Sequence, residues 1–502
     1  ECYKYAKDPQ VGPAAGWPAH KSLDETRQVI KDILMAPETY AIVLKETGLP
    51  VGSIGFHHND LAPGEDEAEL GYWIGVPYWG RGLVPEASKE MLRHAFEDLK
   101  LKRVWCGYYE GNEKSKRVQE KLGFKHQWVN ENVPVPQMGE TRIGHVNLLT
   151  KEDWEKGNLE FLYRKVTEEI SKVDFSKLWE GFKPLKFALY NETECFFDGH
   201  FIEKTADFCA NTAIKYQGEM IAIWNVQQAL SMPIFASKII HEMFHGFQEA
   251  EGWDCWPWEM EALYRYQYTE ENLSIKLREN KLLLELLEGF DPEKYRELLE
   301  CRKYRSEKFP YEFSYECCGE EIEGSANYVE WQVLKQLDEK EADKLIADMR
   351  KTMLQPEFFF PIRISGYYTG ALLINAMIMA GGYNYGPENR PVIKMILESE
   401  NPGSDINTGN EEEKAAVSAA LASFLAESKK IVESAVATNE VVLTGPFEIG
   451  SVNIYDARCY NGYITSRFFL MYLENGEKKV IRDNYVIKMK DEKIIETVYR
   501  WV

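Results

Sequence analysis

From Leu49 the chain alternates apolar and polar positions in short runs, and residues 51–57 and 68–76 (AELGYWIGV) predict two strands around an acidic loop at 60–67. Residues 77–84 form a glycine-bearing loop that leads into a helix, with Pro85 near its first turn and Glu86 just inside. A strand is predicted at 103–109, a helix start at 112–116 and a strand at 144–149. From Leu159 the period becomes that of long amphipathic helices. One helix, at 234–249, starts behind Ser231 and Pro233 and stops at Gly252. Ahead of it, 211–216 and 219–226 predict a hairpin turning at Gln217-Gly218. After about residue 437 short alternating runs return, with turn signals at Asn461-Gly462 and Asn475-Gly476, and predict a β-meander.

A chain of 502 residues is too long for one core. Its 44% hydrophobic and 28% charged residues are those of a globular protein. The net charge of −22 has the wrong sign for a phosphate backbone, so nucleic acid is not expected as a partner. Residues 1–150 carry only about −3 of that charge, a shift in composition that marks two modules of different origin. The expected division is 1–155, 156–437 and 438–502. Nine cysteines without a C-x-x-C pair read as reduced thiols, which points to a cytoplasmic protein. The longest apolar run, GALLINAMIMA at 370–380, is far short of the roughly 20 residues of a membrane span, so no membrane partner is expected.

Gly80 and Gly82 let backbone approach a ligand, and the helix start behind them favours a pyrophosphate. Taken with ELGYWI, the G-R-G loop, the N-x-x-S of Asn112 to Ser115 and the following EKLGF, this order resembles the GNAT acetyltransferases, in the branch similar to ribosomal-protein N-acetyltransferases. The resemblance implies an α+β fold, a mixed sheet with helices, whose usual first strand would lie before Glu1. It implies acetyl-CoA held along the pantetheine by backbone of Ile74, Gly75 and Val76. The Gly80 loop, with the amides of Arg81, Gly82 and Leu83, would meet the pyrophosphate, and Asn112 and Ser115 would line the cleft. Pro77 stands where relatives often carry a basic residue or Gln, and Val118 where some carry a tyrosine. An amine acceptor must lose a proton, which Glu69 would take through water, and Ser115 would protonate the leaving thiolate.

His241-Glu242-Met243-Phe244-His245 is an H-E-x-x-H sequence within the predicted helix 234–249, where positions i and i+4 share a face. Both imidazoles would reach one Zn²⁺, and Glu242 would act as base on water. No histidine follows His245, so the third ligand is a carboxylate or a cysteine: Glu259, Glu261, Glu323, Cys317 or Cys318. The segment EGSANYVEW resembles the second helix of gluzincin peptidases and implies Glu323, with Glu330 beside it. Small residues at Gly324, Ser325 and Ala326 would let this helix approach the H-E-x-x-H helix. Tyr367, in a Y-x-T-G pattern, would donate to an oxyanion. The hairpin strand that leads into the H-E-x-x-H helix would offer a free edge to an extended peptide.

The whole reads as a multi-domain fusion. A GNAT-like acetyltransferase precedes a mainly α, zincin-like zinc metallopeptidase with a small N-terminal sheet, and a short β-meander closes it. Its substrates would be an amine acetyl acceptor and a peptide or protein. The alternative is that one module is catalytically silent and serves for recognition.

Overall fold

The computed structural model describes residues 1–228, 230–381, 392–400, 402–403, 406 and 411–501. It comprises two compact units, Glu1–Leu162 and Tyr163–Val502.

In the first unit, strands β1 (Thr39–Val43), β2 (Pro50–His57), β3 (Glu67–Ile74), β4 (Arg103–Tyr109), β5 (Lys125–Val135) and β6 (Glu140–Thr150) lie in the order β1-β2-β3-β4-β6-β5. The sheet is mixed because β3 and β4 run parallel. That pair holds only from Glu67 and Arg103 to Glu69 and Trp105. Beyond it, β3 stays with β2 while β4 stays with β6, so the two strands diverge into a wedge. At its apex the Cys106 thiol donates to the Leu70 carbonyl at 3.2 Å. The helix Leu83–Arg93 buries Met91 and Leu92 against Val51, Phe56, Leu70 and Phe96. Each such side chain contributes about 1.5–3 kcal/mol.

A break near residue 155 was expected, but the division falls later, within the helix Leu159–Ile170. The reason is Trp154. The Thr150 side chain caps the helix Lys151–Gly157, which buries Trp154 between Phe96 at 5.3 Å and Phe161 at 5.2 Å and so ties this stretch to the first core.

The second unit starts with β7 (Lys186–Tyr190), β8 (Cys195–Phe197), β9 (His200–Ile202), β10 (Thr212–Tyr216) and β11 (Glu219–Asn225), in the order β10-β11-β7-β8-β9. The hairpin forms as predicted, but β11, which leads into the H-E-x-x-H helix, is paired on both sides and has no free edge for a peptide. The outer strand there is β10.

The helix Met232–Ala250 follows, with Ser231 as its N-cap residue. Later the helices Pro310–Gly319 and Ser325–Leu337 are joined by one wide turn, Glu320–Gly324. Ser325 meets the H-E-x-x-H helix through Gln248, whose Nε2 donates to Ser325 Oγ at 2.9 Å. Gly324 does not serve that approach: a Cβ there would fall 2.4 Å from the Gly370 Cα of the helix Ser365–Met379. Among the described residues, the buried cations Lys276, Arg302 and Arg305 are interleaved with Glu279, Glu316 and Glu320. Lys276 sits 2.6 Å from Glu316, and Arg305 bridges Glu316 and Glu279. Deleting any one of them would strand its partners in a low dielectric.

The C-terminal strands are β12 (Val441–Val452), β13 (Cys459–Tyr460), β14 (Tyr463–Ser466), β15 (Leu470–Glu474), β16 (Glu477–Ile481), β17 (Tyr485–Met489) and β18 (Ile494–Arg500). They form an antiparallel sheet in the order β13-β14-β17-β18-β12-β15-β16. This is not the predicted meander, because β12 lies inside the sheet between β18 and β15. The two predicted turns do form, with Asn461 and Gly462 at φ 49° and 77° and Asn475 and Gly476 at 53° and 82°. One face of the sheet packs on Met260 and Leu263, the other on Ile431, Val432 and Ala435. Among the described residues no helix is long and apolar enough to cross a membrane.

Candidate functional site

Two sites are built, one in each unit. In the first, the wedge between β3 and β4 opens into a cavity of about 1720 Å³. Glu69, Tyr72 and Ile74 line it from β3, Gly80, Gly82 and Leu83 from the loop and the helix start, and Asn112 and Ser115 from the helix Glu113–Lys121. Gly80 and Gly82 have φ of 74° and 78°, and a Cβ at either would meet open space. They are therefore required for left-handed backbone, and the space before them stays free. No side chain caps the helix Leu83–Arg93.

Gly75, Val76 and Arg81 do not line the cavity. The backbone expected to run along a pantetheine is engaged within the protein. The Ile74 carbonyl accepts from Trp79 Nε1 at 2.9 Å, the Gly75 amide donates to Val51, and the Gly75 and Val76 carbonyls accept from Tyr78 and Trp79 amides. Gly75 packs on Tyr5, and the Arg81 guanidinium lies 5.7 Å from the Tyr78 ring.

Asn112 is a helix cap as well as a wall residue, its Oδ1 accepting from the Ser115 amide at 3.2 Å. The Ser115 hydroxyl lies 2.9 Å from that of Tyr72 and accepts from Gln119 Nε2 at 3.2 Å. Tyr72 escaped the sequence reading because it sits inside ELGYWI, where alternation marks it as an ordinary strand residue. Burial pushes its phenol well above the usual range, so it stays protonated. Glu69 accepts from Asn59 Nδ2.

The second site lies on the helix Met232–Ala250. His241 Nε2 and His245 Nε2 are 3.2 Å apart, and Glu323 Oε2 lies 4.0 Å and 3.2 Å from them. Among the described residues these three form the cluster suited to a metal ion. Each imidazole is held from behind. Glu330 Oε2 is 3.1 Å from His241 Nδ1, with Lys238 2.7 Å from the other carboxylate oxygen, and Gln248 Oε1 is 2.8 Å from His245 Nδ1. This leaves both Nε2 atoms facing Glu323.

Burial opposes charge on His245, yet Glu323 and Glu242 outweigh it and push its pKa up to about 9. Burial also raises the Glu242 carboxyl, against the pull of the two imidazoles. Burial also pushes the Glu330 carboxyl up, but Lys238 and His241 together outweigh it and bring it down to about 2.

The remaining candidate ligands lie elsewhere. Glu259 is paired with Arg363 and accepts from the Tyr315 hydroxyl at 2.7 Å, Glu261 pairs with Arg265, and Cys317 is buried beside Arg302. Arg363 also donates to Glu323 Oε1 at 2.9 Å and thus ties Glu259 to the cluster. Tyr367 stacks parallel to His241 at 6.4 Å, its hydroxyl 3.2 Å from that of Tyr455. Arg363 and Tyr455 were not legible in sequence; each lies more than 75 residues from the H-E-x-x-H segment or in another sheet.

Residues 1–125 match the family model of the acetyltransferase (GNAT) domain. The "Putative ribosomal N-acetyltransferase YdaF" of Bacillus subtilis is 40% identical over 73 residues, 14% of this chain and 39% of that protein. The uncharacterized N-acetyltransferase p20 of Bacillus licheniformis is 28% identical over 127 residues, 24% of this chain and 70% of that one. The ribosomal-protein-serine acetyltransferase of Escherichia coli is 27% identical over 113 residues, 22% of this chain and 62% of that one. The chain thus spans about two fifths of the length of the first of these relatives. The diverging strands, the glycine loop and the sequence match agree: residues 1–125 form an acetyltransferase domain of the GNAT family.

Proposed function

We propose that the chain joins an acetyl-CoA-dependent N-acetyltransferase to a zinc-dependent peptidase. In the first unit the cavity supports a reaction in which an amine attacks the thioester carbonyl. Glu69 takes the proton the amine gives up, and the Tyr72–Ser115 hydroxyl pair supplies the proton that the departing thiolate gains. The names of the relatives above favour a protein or peptide amine as acceptor.

For the second unit, one observation carries the reading: the donor atoms of His241, His245 and Glu323 stand 3.2, 3.2 and 4.0 Å apart. Tetrahedral zinc with bonds of about 2.0–2.1 Å sets its ligands about 3.3 Å from one another, so the donor set fits. Charge agrees. Four carboxylates, Glu242, Glu259, Glu323 and Glu330, face two permanent cations, Lys238 and Arg363, which leaves the deficit that one divalent ion fills. Zinc held by these three residues would polarise a peptide carbonyl and acidify water. The chain's own groups do the rest: Glu242 takes the proton of the attacking water, Tyr367 donates to the oxyanion, and Glu330 and Gln248 hold the imidazoles.

The test is elemental analysis of the full chain followed by casein digestion, with Glu242→Gln alongside. About one zinc per chain and a Glu242→Gln protein that keeps zinc but loses digestion support the proposal. A wild-type chain without stoichiometric zinc overturns it.

A further inference from the structure

Past Trp105 the strand β4 no longer pairs with β3, and there the Gly107 carbonyl accepts from a side chain, Gln119 Nε2 at 3.1 Å. The same nitrogen lies 3.2 Å from Ser115 Oγ, one helical turn back on the helix Glu113–Lys121. Gln119 Oε1 accepts from Asn147 Nδ2 at 2.7 Å, and Asn147 Oδ1 lies 3.2 Å from Nδ1 of His126, its register partner on β5. Gln119 and Asn147 are buried, and neither lines the cavity.

A carbonyl can only accept, so the Gly107 contact fixes the direction of every other one. Gln119 must turn its NH₂ toward Gly107, and with it toward Ser115. Its oxygen then faces Asn147, which must answer with its own NH₂ and leaves its oxygen to the Nδ1–H of His126. Flipping either amide would set acceptor against acceptor in a place water does not reach.

This order reaches the cavity through Ser115. Its oxygen accepts from Gln119, and among the described residues the other side chain on this hydroxyl is Tyr72, 2.9 Å away. The Ser115 proton therefore goes to the Tyr72 oxygen, and the phenol keeps its own proton for the cavity that Tyr72 lines. The Ser115 carbonyl, 3.4 Å from the phenol, lies beyond the usual range of an O–H donor. Burial raises the phenol's pKa, and the Ser115 and Gln119 contacts work against that rise, as donors to a phenolate do.

We infer that Gln119 is a positioning residue: held in one orientation by Gly107 and Asn147, it turns the Ser115 and Tyr72 hydroxyls so that the phenol's proton faces the departing thiolate. This rests on the role proposed above for the hydroxyl pair. As the thiolate leaves, an S–H bond forms and the phenol's O–H bond breaks. The phenolate left behind accepts from Ser115, and it recovers a proton from solvent, to which Glu69 gives up the one it took from the amine.

The experiment measures transfer from acetyl-CoA to a library of peptides with free α-amines by the full chain, by Gln119→Met, Gln119→Glu and Tyr72→Phe, and by Gln119→Met combined with Tyr72→Phe. Acetyl-CoA affinity is read on each by calorimetry. Both Gln119 variants should bind acetyl-CoA and keep KM, while kcat falls about tenfold, the worth of one hydrogen bond. In the Tyr72→Phe background, which has no phenol to turn, Gln119→Met should cost nothing more, a result that a general loosening of the cleft would not produce. Gln119→Glu keeps the size of the side chain but turns an acceptor to Ser115, so it decides the matter if Gln119→Met loses acetyl-CoA binding. Wild-type kcat in either Gln119 variant, or an equal further loss in the Tyr72→Phe background, overturns the inference alone. Wild-type kcat in Tyr72→Phe, or no transfer to any peptide by the wild-type chain, overturns the proposed reaction and the inference with it.

Discussion

Gly324 and Gly370 meet backbone to backbone: a Cβ built on Gly324 falls 2.4 Å from the Gly370 Cα, and one built on Gly370 falls 2.5 Å from the Glu320 carbonyl oxygen. Glu323 is the neighbour of Gly324, so this contact sets where the candidate third ligand stands. Gly324→Ala is expected to cost about 1–3 kcal/mol by overpacking and to release zinc at lower chelator concentration. Chemical denaturation with a parallel chelator titration checks both; unchanged metal retention contradicts the link.

The metal variants separate by role. His245→Ala and Glu323→Ala each remove a candidate ligand and, on the proposed reading, should lose most zinc, whereas Glu261→Ala, which breaks only an exposed pair with Arg265, should keep it. Glu259→Ala frees one side of Arg363, and its zinc affinity should fall between these limits. Elemental analysis after dialysis ranks the four proteins without any need of a substrate.

In the first unit, Gly82→Val places a β-branched residue at φ 78° and points its side chain into the open space before the helix start. Acetyl-CoA affinity should drop at least tenfold by calorimetry while the fold persists. Equal binding by both proteins would place the pyrophosphate elsewhere.

Tyr72→Phe deletes only a hydroxyl and should lower kcat about 10²-fold on peptides with a free α-amine, with little change in KM. Ser115→Ala removes the partner that orients this phenol and should lower kcat less. If the two act as one unit, the double variant is no slower than Tyr72→Phe. Strict additivity would show that they act separately.

Glu316 is buried, and burial alone would raise its pKa; Arg305 and Lys276 instead bring it from the ordinary 4.5 to about 2. A carboxylate depressed by folding stabilises fully above its unfolded pKa, and that stability is lost as pH falls through the folded value. The second unit should therefore lose roughly 3 kcal/mol between pH 4.5 and 2 from this residue. Glu316→Gln should be less stable at pH 7 and flatter across that window in urea titrations.

Local pattern made β2, β3 and β4, the H-E-x-x-H helix and both Asn-Gly turns legible, because in each the chemistry of neighbours decides the structure. It failed for β5, whose sequence KHQWVNENVPV is polar and mostly exposed and forms a strand only because β6 pairs with it. It also failed for the order of the C-terminal sheet, which depends on pairing between strands about 50 residues apart. In the candidate sites, His241, Glu242 and His245 could be read from spacing. Glu323 needed a resemblance to separate it from Glu259, and Arg363, Tyr72 and Tyr455 owe their places to tertiary packing, which leaves no mark in local sequence.

The place of β12 between β15 and β18 also sets a sequence of events. Both strands that flank β12 are synthesised after it, and β18 is the last element of the sheet. While a nascent chain lacks Ile494–Arg500, β12 and β17 each keep an unpaired edge, and the turn that carries Tyr455 has no finished sheet behind it. The H-E-x-x-H helix and Glu323 are made much earlier. A ribosome-bound chain thus holds His241, His245 and Glu323 well before it holds the completed sheet behind the turn of Tyr455, so the candidate metal cluster and that sheet mature at separate moments of synthesis.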